Sequence, residues 1–115
     1  MAFRIIADGA NKPFKCQVSG GDVLAGTVRP ATAEELATHQ YKLSRIDQAT
    51  EFKKWFTFRC EFAAERILEW NVIDDKGNKV PVTADVLANG LPFSYLQQLE
   101  DQIAGYVSAG DDAKK

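Results

Sequence analysis

Residues 14–36 read FKCQVSGGDVLAGTVRPATAEEL, and along them the apolar spacing changes from that of a strand to that of a helix. Phe14, Cys16 and Val18 alternate with Lys15 and Gln17, the two-residue period of a strand with one face on a core and one in water. Turn signals bracket it, with Asp8-Gly9 and Asn11-Lys12-Pro13 before and Ser19-Gly20-Gly21-Asp22 after. Residues 3–7, 14–18 and 23–29 are therefore expected to form a three-stranded antiparallel meander, whose apolar face needs a cover. That cover begins at Thr32-Ala33-Glu34-Glu35. There the Thr hydroxyl can accept from the amide of Glu35 while the Glu35 carboxylate reaches back to Thr32, a capping box that starts a helix.

Leu36, His39, Leu43 and Ile46 share one face of this helix, expected to run to about residue 45. Asp47 is expected to restart a second helix that continues to about residue 69. Projected at 100° per residue, the second helix carries two apolar stripes. Phe52, Phe56, Cys60, Ala63 and Ile67 form one; Trp55, Phe58 and Phe62 form another, displaced around the axis. A hairpin is expected where residues 70–73 and 79–82 flank Asp74-Asp75-Lys76-Gly77-Asn78, with Gly77 placed to take positive φ. Thr83 caps a short helix, Asn89-Gly90-Leu91-Pro92 ends it, and Tyr95, Leu96, Leu99, Ile103 and Tyr106 or Val107 give a last helix one core-facing stripe. The expected fold class is α+β: a small N-terminal antiparallel meander packed on a predominantly helical C-terminal part with a short hairpin. Residues 1–109 read as one globular domain, and residues 110–115 as a disordered tail with nothing to bury.

Composition narrows the function. The chain has 115 residues, 45% hydrophobic and 26% charged, which suits one globular domain with little area to spare for a deep pocket. Residues 1–70 carry ten Lys/Arg against nine Asp/Glu, and residues 71–115 four against seven, so neither half offers the concentrated positive field that nucleic acid requires. No apolar run approaches the roughly 20 residues of a membrane span, and the first eight residues stop short of a signal segment. A cytoplasmic location without membrane or nucleic-acid partners is expected. Cys16 and Cys60, without a Cys-x-x-Cys spacing, read as two buried reduced thiols.

No residue pattern announces catalysis, a cofactor or a metal. His39, the only histidine, shares its face with Leu36 and Leu43 and reads as a core histidine. Asp74, Asp75 and Asn78 are out of register for a calcium loop and read as a solvated turn. Glu61, Glu65 and Glu69 at four-residue spacing lack an accompanying Glu-x-x-His and read as a solvated helical face, with Lys53, Lys54, Arg59 and Arg66 as partners for surface pairs. The stripe of Trp55, Phe58 and Phe62 admits two readings. Either the helix is sandwiched and the stripe is internal, or these aromatics form a protein-binding surface.

The order of elements, with Val28-Arg29-Pro30-Ala31-Thr32-Ala33-Glu34-Glu35 before a long helix and then residues 67–87, ILEWNVIDDKGNKVPVTADVL, resembles the small tail assembly chaperones of long-tailed bacteriophages. In that family a helix runs into a Trp, followed by an Asp-x-x-Gly or Asp-Gly turn, a Pro-hydrophobe-Thr step and a short helix. Trp70, Gly77, Pro81 and Thr83 match the pattern, and the similarity covers about residues 28–100. The resemblance implies a non-catalytic factor of the bacterial host's cytoplasm that coats a long helical tape measure protein during tail assembly. It also implies protein partners among the tail proteins, and self-association into a homo-oligomer is compatible with it. The alternative from a neighbouring class is a structural component of a virion or other assembly, such as a minor tail or connector protein. The resemblance further implies a longer form made by ribosomal slippage, for which Ala113-Lys114-Lys115 offers codons; a plain soluble tail is the other reading of those residues.

Overall fold

Phe14 and Cys16 are both buried between exposed neighbours, and the alternation that predicts a strand produces one at β1 (Lys12–Cys16). β2 (Leu24–Val28) follows in antiparallel register, with Phe14 opposite Gly26 and Cys16 opposite Leu24. The computed structural model describes residues 11–105, in the order β1, β2, α1 (Ala33–Ser44), α2 (Phe52–Arg66), β3 (Ile67–Trp70), α3 (Ala84–Asn89) and α4 (Phe93–Ala104). The architecture is α+β, with a three-stranded antiparallel sheet of order β1-β2-β3 and four helices. The expected strand at residues 3–7, the positions Tyr106 and Val107, and the tail at 110–115 lie outside the described residues.

Several boundaries differ from expectation. The strand expected at residues 14–18 runs Lys12–Cys16, so that Lys12 and Pro13, expected in the turn, pair with Val28 and Thr27. The second helix begins at Phe52 rather than Asp47, because the Asp47 carboxylate accepts the amide of Ala49 at 2.9 Å and closes a turn of its own. It ends at Arg66 rather than near residue 69, because Ile67–Trp70 leaves the helix to pair with β2 as the third strand. The register of β2 with β3 shifts between Thr27 and Val28, and Glu69, expected on the helix, accepts the Thr27 hydroxyl at 2.6 Å instead.

Local signals otherwise form as read. Thr32 and Glu35 make the reciprocal capping box, and the Thr83 hydroxyl accepts from Val86. Gly77 takes φ +85°, while Asp74 closes the turn by accepting from the amides of Lys76 and Asn78, both at 2.9 Å. The expected hairpin is reduced to one bridge, Ile73 with Lys79, beside a bond from the Val80 amide to the Val72 carbonyl. Gly90 closes α3 at φ −104°, a right-handed conformation rather than the left-handed cap that its position suggests.

The core lies between the sheet, α2 and α4, and contains Phe14, Cys16, Val28, Cys60, Ala63, Leu87, Leu96, Leu99 and Ile103. Cys16 and Cys60 are buried and unbridged, and burial pushes the Cys16 thiol up to about 12. Besides packing on the core, α4 serves the outer edge of β1. Gln102 accepts the Lys15 amide at 3.0 Å and donates to the Lys15 carbonyl at 2.7 Å; Gln98 does the same for Gln17 at 2.9 and 3.1 Å. Two side-chain amides one helical turn apart thus stand where another strand's backbone would pair, which covers that edge against strand addition.

Candidate aromatic binding surface

α2 presents aromatic side chains on several sides, and the structure sends the three of the second stripe to two different places. Phe58 and Phe62 face α1, where the His39 ring stacks on both, with centroids 5.0 Å and 3.7 Å away. Trp55 instead lies under the guanidinium of Arg59, 4.7 Å from the ring, toward the start of α4. All three are half-buried, so the stripe is neither a fully internal face nor one continuous surface.

The exposed aromatic area gathers around Trp55. Phe52, expected in the core-facing stripe, is 56% exposed and lies 5.8 Å from Trp55 and 6.0 Å from Phe56. It sits within the first turn of α2, ahead of the contacts that bury Cys60 and Ala63, so nothing in the core reaches it. Phe93, which no periodicity singles out, is 49% exposed at the first position of α4, 6.3 Å from Phe56. Phe52, Trp55, Phe56 and Phe93 therefore form one patch across the N-terminal ends of two helices.

Two arginines organise the two aromatic groups, and both were expected at the surface. Arg59 is buried and donates Nε–H to Glu100 at 2.9 Å, with a second bond from Nη2 to the same carboxylate. That hydrogen bonding raises the Arg59 pKa further and holds the charge in place. Arg66, also buried, lies 4.1 Å over Phe62 and pairs with Glu35 and Glu65, each at 3.4 Å. Trp55 with Arg59 and Phe62 with Arg66 are both aromatic–Arg pairs at four-residue spacing. That spacing is a signal of stacking that the sequence carries and that the reading of both arginines as partners in surface ion pairs passed over.

Glu35 ties this region together. Beyond its capping bond it meets Arg29 at 3.2 Å and Arg66 at 3.4 Å. The Thr32 amide first, then Arg29, hold its carboxyl down to about 2. His39 is 8% exposed, and its Nδ1 has no hydrogen-bond partner. Burial, reinforced by the charges of Arg66 and Arg59, pulls its pKa down to about 4. Folding thus keeps His39 neutral where the unfolded chain takes up a proton near pH 6.5. The group contributes stability that is whole above that pH and is lost as pH falls toward about 4. Melts between pH 7 and 4.5 are expected to show stability falling by on the order of 2 kcal/mol. His39→Phe, which keeps a ring against Phe58 and Phe62, is expected to flatten that window. The Glu35 contribution disappears only between about 4.5 and 2, so the two groups separate on the pH axis. An unchanged slope in His39→Phe would assign the dependence to other groups.

No helix among the described residues is long and apolar enough to cross a membrane, and no three His, Cys, Asp or Glu side chains among them gather as a metal site. No family model matches the chain, and neither a curated protein nor a solved structure is significantly similar to it.

Proposed function

We propose that this domain is a non-catalytic, cytoplasmic protein-binding factor of the phage tail assembly chaperone kind, which holds apolar helices of a long tape measure protein until the tail is built. The observation that carries it is the patch of Phe52, Trp55, Phe56 and Phe93, in which Phe52 and Phe93 stand about half exposed and the rings of Trp55 and Phe93 lie against the guanidinium of the fixed Arg59–Glu100 pair. Exposed aromatics around a desolvated, hydrogen-bonded arginine are the composition of a protein-binding hot spot. Lys53 and Lys54 on the exposed first turn of α2, with Glu51 at its N-cap, supply a charged rim, as a surface that must release its client needs. The resemblance of residues 67–87 to the tail chaperone pattern is what suggests the client, although Trp70 lies on β3 and not at a helix end; the aromatic patch supplies the means.

Coexpression with the product of the longest helical reading frame beside its gene tests the proposal. The chain is expected to keep that protein in the supernatant and to be absent from purified particles. Phe52→Ser combined with Phe93→Ser is expected to weaken the complex about tenfold or more while shifting the stability of the free domain by less than about 1 kcal/mol. A fixed copy number in particles would identify a structural component instead. An unchanged complex in the double variant would remove the patch.

A further inference from the structure

α1 is held to the rest of the domain unlike any other helix. Of its twelve residues only His39 is buried, whereas α4, equally long, buries five. It packs chiefly on α2, and its apolar face of Leu36, Leu43 and the following Ile46 is only half covered. Between α1 and α2 runs a groove of about 390 Å³ lined by Glu34, Thr38, His39, Phe58, Phe62 and Arg66. A second cavity of about 520 Å³ lies on the other side of Phe58, under Ile46. The one buried contact carries an unsatisfied Nδ1, and the Arg66 Nε beneath it is also without a partner. A helix seated on two aromatic rings by one buried side chain with an unpaired nitrogen, tied otherwise by the part-exposed Glu35 carboxylate and flanked by open grooves, is bound at low local stability.

We propose that α1 is a displaceable cover and that an amphipathic helix of the client takes its place on Phe58 and Phe62. The inference rests on the client-binding reading above and names the chemistry of the helix that fits. The requirements can be read from α1 itself, the one helix seen in this seat. The incoming helix must carry apolar or aromatic side chains spaced like Leu36, His39 and Leu43. It must also bring a carboxylate one turn before the ring, where Glu35 stands, because Arg66 is 7% exposed and, when α1 leaves, keeps only the exposed Glu65 of its two carboxylate partners. With α1 displaced, Phe58 and Phe62 join Trp55 along α2, so the stripe that the folded domain divides becomes continuous for the client.

A fluorescein-labelled peptide of residues 29–47, RPATAEELATHQYKLSRID, is the probe, because this helix fits the seat by construction. In the parent protein the amides of α1 are expected to exchange with deuterium well before those of α4. The tethered α1 competes at high effective concentration, so Glu35→Gln with His39→Ser, which loosens it, is expected to bind the peptide about tenfold more tightly than the parent. His39→Phe, which satisfies the seat with an apolar ring, is expected to bind it less well than the parent. A peptide carrying Glu35→Lys is expected to lose most of its affinity. Protection of α1 equal to that of α4, or a folded loosened variant with no gain in peptide binding, would overturn the cover. Unchanged affinity of the Glu35→Lys peptide would overturn the demand for a carboxylate. If the peptide binds as expected but the neighbouring helical protein does not displace it, the cover stands and the client reading alone falls.

Discussion

Gly26→Ala is expected to destabilise the domain by more than about 3 kcal/mol, a large share of what a domain of this size has. Gly26 is the middle residue of the middle strand, opposite Phe14 in β1 and Trp70 in β3. A Cβ there would stand 2.1 Å from the backbone oxygen of Glu69, 2.8 Å from the Trp70 Cα and 2.8 Å from the Phe14 ring. The nearest obstacle is backbone, and no side-chain rotation relieves it. Glu69 is itself anchored to β2 by its pairing with Thr27. β2 and β3 must therefore separate or shift register, which disturbs the face that carries Phe14, Val28 and Trp70. Denaturant melts of the variant measure this. A loss below about 1 kcal/mol would show that β2 and β3 part to admit a methyl group at little cost.

Trp70→Ala is expected to cost about 3–5 kcal/mol and Trp70→Phe about 1–2, so the pair of variants divides the side chain's volume from its hydrogen bond. Trp70 is 6% exposed, and its indole N–H donates to the Val80 carbonyl at 2.7 Å. That bond fastens the segment after the Gly77 turn to the core. The turn itself holds through one bridge, three backbone bonds around it and the two amides that the Asp74 carboxylate accepts. Alanine removes both the ring and the donor; phenylalanine keeps most of the packing and leaves the carbonyl unpaired. In Trp70→Phe, amides of Asn78 and Val80 are expected to exchange faster while those of α4 stay protected. Equal losses in the two variants would mean that the indole bond outweighs the buried ring.

What could be read along the chain concerned groups close together in it. The alternation around Cys16, the capping box of Thr32 with Glu35, the Thr83 cap, the positive φ of Gly77 and the stripe of Tyr95, Leu96, Leu99 and Ile103 depend on backbone geometry within a turn or two. The candidate surface was legible only as a surplus of aromatics on α2. Its composition was not, because Phe56 and Phe93 meet through the packing of α2 on α4, and Phe58 and Phe62 are claimed by His39 from α1.

The sequence by itself determined the α+β class, the caps at Thr32 and Thr83, the turn at Gly77, and most of the core face of α4, since propensity, periodicity and capping act locally. Only the tertiary structure decided that Ile67–Trp70 is a strand, that Gly26 must lack a side chain, and that Arg59 and Arg66 are buried with Glu100 and Glu35. It also decided that Gln102 serves Lys15, 87 residues away. These outcomes depend on which distant backbone offers a hydrogen bond or a charge at the right place. A helix end becomes a strand when the open edge of β2 satisfies its amides, and a surface arginine becomes a core residue when a carboxylate from another element pays the cost of burying it.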